Sequence, residues 1–346
     1  MRYLILALDG GGARLLLQWT ILKRIIAQYP DFLKQVTVFS GTSAGSILAS
    51  ALACGMEKVA DSIITFDKMR HVFERTTCHK VKSLGGLIKA KYETANLRQM
   101  LDEHFGNVTL DDVPRALFIP AFAVNSKYPP RPLSDVDRDI SGPKWADQDD
   151  IRREQELLAQ QHEHIGEALA PDCLRRRCDR WHSVFYHNLM DTGLDIKVGD
   201  AIMRSTAAPT YFPLEDNCVD GGVVHNNPSL AILSHLIALG IKAEDIFILS
   251  MGTGELPRQL NVPDDTSLGV IQWLSSLIDM IMDGNQEAIS QSCFQMLGRR
   301  FHRVAPVLKE DIPLDAISDH AKLIDIGNKY DLTDTFAWLD WIQQDE

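Results

Sequence analysis

Cysteine is scarce, six residues scattered through 346. That leaves no disulfide framework to read, and reduced thiols are the expectation. His162 and His164 with Cys173 and Cys178 give H-x-H and C-x4-C spacings, a weak match to a zinc set. No calcium-binding loop is present either, so no metal or other cofactor is expected. Long apolar runs are missing: none approaches the ~18–20 residues that cross a bilayer. The first, Tyr3–Leu8, stops at Asp9 and is too short for a signal peptide's core. A soluble, cytoplasmic chain follows, at most peripheral to membranes. Positive charge is also in deficit, with 35 Lys and Arg against 47 Asp and Glu, a net −12. This argues against a nucleic-acid polymer as partner and against adsorption to anionic lipid by net charge alone. Basic clusters at 79–91 and 173–181 read as solvated faces or local binding patches. Nucleotide loops are absent as well. There is no G-x-x-x-x-G-K-[ST] in the glycine-rich stretches, and G-x-G-x-x-G fails because its third glycine falls on Leu15.

What remains is an alternation of short apolar runs and helical patterns. Tyr3–Leu8 reads as a buried strand entering "DGGG", followed by a helix over 13–30 that stops at Pro30. "VTVFS" (36–40) is a second strand, and 44–55 a small-residue helix closed by Gly55. A helix at 96–107 and strands at 116–124 and 184–188 come next. A helix at 199–209, a strand at 245–254 and long helices over 271–297 complete the pattern. Nearly continuous apolar strands between helices predict an α/β fold with a mainly parallel sheet covered on both faces. Residues 126–182 are charged and proline-bearing and read as an insertion, either surface decoration or a lid. The chain reads as one domain over 1–346, with 256–346 as its C-terminal helical extension.

Three glycine-rich stretches follow runs that read as strands. In Gly41-Thr42-Ser43-Ala44-Gly45, a sharp strand-to-helix turn would lift the Ser43 hydroxyl clear of the sheet. Glycines two residues to either side permit the close packing such a turn demands. "DGGGAR", Asp9 to Arg14, leaves backbone N–H groups unobstructed for an anion, with Arg14 able to add a fixed positive charge. In "CVDGGVVHNNP" (218–228), Gly221 and Gly222 leave room for a partner to approach the Asp220 carboxylate. Each alone is also satisfied by an ordinary turn. No histidine lies within twenty residues of Ser43, so a serine nucleophile here would need its base from far along the chain.

Together, "DGGGAR", "GTSAGS", "STAAPTYF" (205–212) and "DGGVVHNNP" resemble the patatin-like phospholipase family. The resemblance covers roughly 1–125 and 183–255. It implies a three-layer α/β/α fold with a mainly parallel central sheet, and a Ser–Asp dyad in place of a triad. Ser43 would be the nucleophile and Asp220 the base, with the amides of Gly10, Gly11 and Gly12 as oxyanion hole. Arg14 matches the family's G-G-G-x-[RK]. The implied activity is hydrolysis of carboxylic esters in phospholipids or related lipids through an acyl-enzyme, with transient contact at a membrane surface. The helix 44–54, "STAAPTYFP" and 270–284 would wall the acyl cleft, although Ile271, Leu274, Ile278 and Ile281 also fit a core face.

Alternatives stay open at this level. A Ser-His-Asp α/β-hydrolase would need a late histidine, for which His302 and His320 are available, but it gives "DGG…NNP" no role. A non-enzymatic acyl binder would not need every catalytic position filled. A ligand-regulated effector, for example a cyclic-oligonucleotide-activated membrane phospholipase, would use the insertion or Arg175–Arg177 to sense a small-molecule activator. His225, five residues past Asp220, reads as a loop residue outside the dyad, and His235 as a packed or surface histidine.

Overall fold

A computed structural model describes residues 2–74, 89–125, 181–190, 195–257 and 270–344. The insertion apart from its last two residues, Arg175–Arg177, His162, His164, Cys173, Cys178 and most of the 79–91 basic cluster lie outside that set. The side chains of Ile271, Leu274, Ile278 and Ile281 do as well.

Among the described residues seven strands form one sheet: β1 (Tyr3–Leu8), β2 (Val36–Gly41), β3 (Ala116–Ala123), β4 (His182–His187), β5 (Cys218–Asp220), β6 (Ile246–Met251) and β7 (Phe301–Val304). The order is β4-β3-β2-β1-β6-β7, with β5 paired to β3 off that path. Pairings among β3, β2, β1, β6 and β7 are parallel, whereas β4 and β5 run antiparallel to β3. The expected mainly parallel sheet is present.

Alternation along β1 shows why the sheet is covered twice. Leu4, Leu6 and Leu8 point into one core with α1 (Leu15–Gln28), α2 (Ala44–Ala53), α3 (Ala95–Phe105) and α4 (Val198–Ser205). Tyr3, Ile5 and Ala7 point into a second core with α5 (Ser229–Ala238) and the end of α6 (Val270–Leu297). Period-two strands with both faces apolar have no solvent side, so helices must pack on each. Three layers result. α7 (His320–Lys329) and α8 (Thr333–Gln344) join the first core through Leu323, Trp338, Leu339 and Ile342. No described helix is long and apolar enough to cross a membrane.

Two features depart from expectation. The C-terminal stretch is not wholly helical, since β7 extends the sheet beside β6. The stretch after Asp220 is not a plain loop either, because Gly222–His225 forms one helical turn.

The topology sets up the site. β2 pairs with β3 only at Ala116–Phe118, and β4 occupies the opposite side of β3 from Phe118 to Ala123. When β2 turns away after Gly41, the open flank of β3 is taken by β5, which places Asp220 opposite Ala121. Asp220 thereby sits beside the turn that carries Ser43.

Candidate active site

Ser43 occupies the turn between β2 and α2 with φ 52 and ψ −128. A non-glycine residue in this region is strained and persists only when its surroundings hold it. Here they do. The Ser43 amide donates to Ser205 Oγ at 3.0 Å, and Ser205 donates on to the Pro120 carbonyl at 2.6 Å. The Ser46 hydroxyl donates to the Ser43 carbonyl at 2.6 Å, and Thr42 Oγ1 donates to the His225 carbonyl at 2.7 Å. A side chain at Gly41 would meet the Gly45 backbone, and one at Gly45 would come within 2.5 Å of the Leu8 carbonyl. The two flanking glycines are therefore required by close approach of strand, turn and helix.

From this turn Ser43 Oγ donates to Asp220 Oδ2 at 2.5 Å. Asp220 is buried, and its other oxygen accepts from the Gly222 amide at 2.7 Å. Gly221 lies so close to the Pro120 carbonyl that a Cβ would collide with it. Burial lifts the Asp220 carboxyl to about 7, against the opposing hydrogen bonds from Ser43 and Gly222. A carboxylate with that affinity for a proton is a competent acceptor near neutral pH. Ser43 is only partly buried, so a substrate can reach it.

The glycine loop lies against the same turn, since a Cβ on Gly10 would sit 3.0 Å from Ser43 Cβ and 2.5 Å from Asn226 Oδ1. Its amides are not equivalent. The Asp9 N–H donates to the Met251 carbonyl at 3.0 Å, Gly10 N–H to Asn226 O at 3.1 Å, and Ala13 N–H to Leu314 O at 2.7 Å. Gly11 and Gly12 N–H groups have no acceptor among the described residues. Of the three glycines expected to serve together, Gly10 has its amide already engaged. Gly12 adopts φ +54, and a Cβ there would collide with the Leu314 carbonyl. Arg14, in the 3-10 turn Gly12–Arg14, reaches the Gly254 carbonyl at 3.4 Å.

Behind the loop, Asp9 is fully buried and held by both Arg303 nitrogens, Nη1 to Oδ1 at 2.9 Å and Nη2 to Oδ2 at 2.7 Å. Desolvation pushes the Asp9 carboxyl up to about 6 in spite of this pairing. Desolvation also opposes the Arg303 charge, but Asp9 and Glu255 outweigh it and keep the guanidinium protonated.

Among the described residues, no histidine bonds to Ser43 Oγ or to the Asp220 carboxylate. His225 Nε2 pairs with Ser183 Oγ at 2.8 Å, and burial together with nearby His235 holds the ring at about 4. His235 packs among Phe118, Phe185 and His187. His302 bonds Thr335 and stacks on Trp338, and His320 lies against Phe66. Sequence reasoning missed Ser205, Asn226 and Arg303. "STAAPTYF" opens on Ser205 and "DGGVVHNNP" contains Asn226, whereas Arg303 lies in neither stretch.

The family model described as patatin-like phospholipase matches residues 6–233, from β1 into α5. Protein teg of Priestia megaterium is 25% identical over 98% of both chains. A cGAMP-activated phospholipase of Pseudomonas aeruginosa is 24% identical, covering 94% of this chain and 87% of its own. An intracellular phospholipase A2 of Caenorhabditis elegans is 25% identical over 91% of this chain and 26% of its own length. The chain belongs to the patatin-like phospholipase family of lipid acyl hydrolases.

Proposed function

We propose that the chain hydrolyses carboxylic esters of phospholipids, with Ser43 as nucleophile and Asp220 as its base. The observation that carries the reading is the Ser43 hydroxyl donating at 2.5 Å to a buried carboxylate. Ser43 Oγ attacks the ester carbonyl carbon while its proton passes to Asp220 Oδ2. The carbonyl oxygen gains the negative charge and turns toward the Gly11 and Gly12 amides, which have no acceptor among the described residues. The α2 N-terminus at Ala44 favours negative charge at the same place. Collapse of the tetrahedral intermediate breaks the bond to the alcohol oxygen. Asp220 returns the proton to that oxygen, and the lysolipid leaves. Water then gives a proton to Asp220 and attacks the acyl-enzyme, releasing the fatty acid and restoring Ser43.

Gly10 acts through its position beside Ser43, and Arg14 holds the end of the loop on Gly254. Tyr211 and Phe212, which pack with Tyr92, would form part of the acyl wall. The substrate lies in a bilayer, so contact with membrane is transient and the enzyme otherwise stays in the cytoplasm. One domain over 1–346 with 126–182 as an insertion is supported by the single sheet, which takes β1–β3 from before that segment and β5–β7 from after it.

The test uses phosphatidylcholine–phosphatidylethanolamine vesicles with wild type and Ser43→Ala, products being read by mass spectrometry. Fatty acid and lysophospholipid from wild type alone support the reading; equal release from the variant sinks it. A second reading adds an activator, favoured by the name of the Pseudomonas relative. Adding cGAMP to the same vesicles tests it: a rate rise of tenfold or more supports an activator, and an unchanged rate removes this one.

A further inference from the structure

The glycine loop is held mainly by residues outside the stretch that the family model matches. Thr253 Oγ1 donates to the Gly10 carbonyl at 2.9 Å, and Leu314 O accepts from Ala13. Arg303 on β7 makes the two-pronged contact with Asp9 and donates to Ser250 Oγ at 2.9 Å. Its Nη2 also reaches Glu255 Oε1 at 3.3 Å. That same oxygen accepts from Gln286 Nε2 at 3.1 Å, and Gln286 Oε1 accepts from Asn226 Nδ2 at 3.1 Å. The Asn226 carbonyl in turn receives the Gly10 N–H. Two polar routes therefore run from one guanidinium to the loop, one through the Asp9 carboxylate and one through Glu255, Gln286 and Asn226.

Both routes end on the residues just before Gly11 and Gly12. An oxyanion hole works only when its donors are already fixed where charge will develop. Backbone glycines cannot fix themselves, because they are the least restrained residues in the chain. A planar, permanently charged fork can fix them from behind, since it holds both oxygens of one carboxylate and sets the angle of approach.

We propose that Arg303 is a positioning residue for the oxyanion loop, acting through Asp9 and through the Glu255–Gln286–Asn226 chain. The inference rests on the proposed role of Ser43 and of the Gly11 and Gly12 amides. On this view β7 is part of the catalytic apparatus although it touches no reacting atom. Displacement of the donors by an ångström should lower the chemical step while leaving ground-state binding nearly intact.

The experiment compares wild type, Arg303→Met, Arg303→Lys, Gln286→Leu and Ser43→Ala on a short-chain chromogenic ester. Circular dichroism melts establish folding. The rate at which a fluorophosphonate labels Ser43 gives a second readout, because its phosphoryl oxygen uses the same donors. In Arg303→Met, kcat and labelling rate should fall together by about 100-fold, with KM within threefold. Arg303→Lys should recover about tenfold of that loss, as a single-pronged substitute. Gln286→Leu, which removes a neutral link, should lower kcat about fivefold without moving KM. A folded Arg303→Met with kcat and labelling within threefold of wild type overturns the proposal, whatever happens to its melting temperature. If Arg303→Met does not fold, Gln286→Leu decides, and an unchanged kcat there overturns it. An active Ser43→Ala would remove the underlying catalytic reading, and this inference with it. An inactive Ser43→Ala beside a fully active Arg303→Met would remove this inference alone.

Discussion

Ser43 Oγ and Asp220 Oδ2 stand 2.5 Å apart although 177 residues separate them in the chain. The contact exists because β5 fills the flank of β3 that β2 abandons at the nucleophile turn. Ser43 is held in a strained backbone conformation, and Asp220 is held by the Gly222 amide. Neither side chain has to move for the proton to transfer.

Removal of either partner should therefore abolish turnover without unfolding the protein. Ser43→Ala and Asp220→Asn should each lower kcat by about 10³-fold or more, since members of such a unit fail together. His225→Ala should keep kcat within about fivefold. It loses the bond to Ser183, about 1 kcal/mol of stability, but leaves the Thr42 contact, which uses the His225 backbone. Ester hydrolysis beside circular dichroism checks all three. A collapse of activity in folded His225→Ala would refute the histidine-free mechanism.

Protonation of Asp220 sets the pH response. The carboxyl must be ionised to accept the serine proton, and burial places its pKa at about 7. Activity should rise with pH through about 7 and level off above it, with no descending limb from His225, whose ring is neutral throughout that range. A kcat/KM profile from pH 5 to 9 reads this directly. Stability should move the opposite way. A carboxyl whose folded pKa lies above its unfolded 3.8 contributes stability that is complete below about 4 and lost as pH rises through about 7. Asp220→Asn avoids the buried charge, so it should melt higher than wild type at pH 8 and lose that advantage toward pH 5. Equal melting differences at both pH values would show that the charge is not what burial opposes.

Much of this site can be read from local sequence, and the reason is local geometry. G-x-S-x-G marks Ser43 because only glycine fits where Gly45 meets the Leu8 carbonyl. Strands such as Tyr3–Leu8 are legible because both faces are buried and every residue is apolar. The remainder depends on register between distant segments. β5 is three residues long, too short to carry a pattern, and β7 is four residues within a stretch that reads as helical. Arg303 lies in "FHRV", where nothing local says that its guanidinium reaches a carboxylate 294 residues earlier. Gly10 shows the same limit, because its amide is engaged by Asn226, a partner that only the folded chain brings near.

Glycine substitutions should separate the loop's roles. At Gly12, φ is +54 and a Cβ would strike the Leu314 carbonyl, so Gly12→Ala must displace the loop. Its kcat should fall 10²–10³-fold, the scale of losing one oxyanion donor, with KM little changed. Gly55→Ala is the control: it also has positive φ, at +70, but a Cβ there meets nothing within 4 Å. It should lower the melting temperature by a few degrees and leave kcat alone. Steady-state kinetics on both variants at one temperature well below melting makes the comparison.

Ser205 carries the last prediction. Its hydroxyl accepts the Ser43 amide at 3.0 Å and donates to the Pro120 carbonyl at 2.6 Å, so one fully buried oxygen ties α4 to β3 and to the nucleophile turn. Ser205→Ala deletes that oxygen without filling its place. Two buried backbone groups lose their partner, at a cost of about 1–3 kcal/mol each if no water enters. The Ser43 amide is the more consequential of the two, because it helps hold the positive φ that aims Oγ at Asp220. The variant should thus lose kcat by about tenfold beyond any change in stability, with KM within threefold. Ser205→Thr, which restores the hydroxyl, should recover most of the rate where the extra methyl is accommodated. Equal kcat in wild type and Ser205→Ala would mean that the turn keeps its strained geometry without this contact.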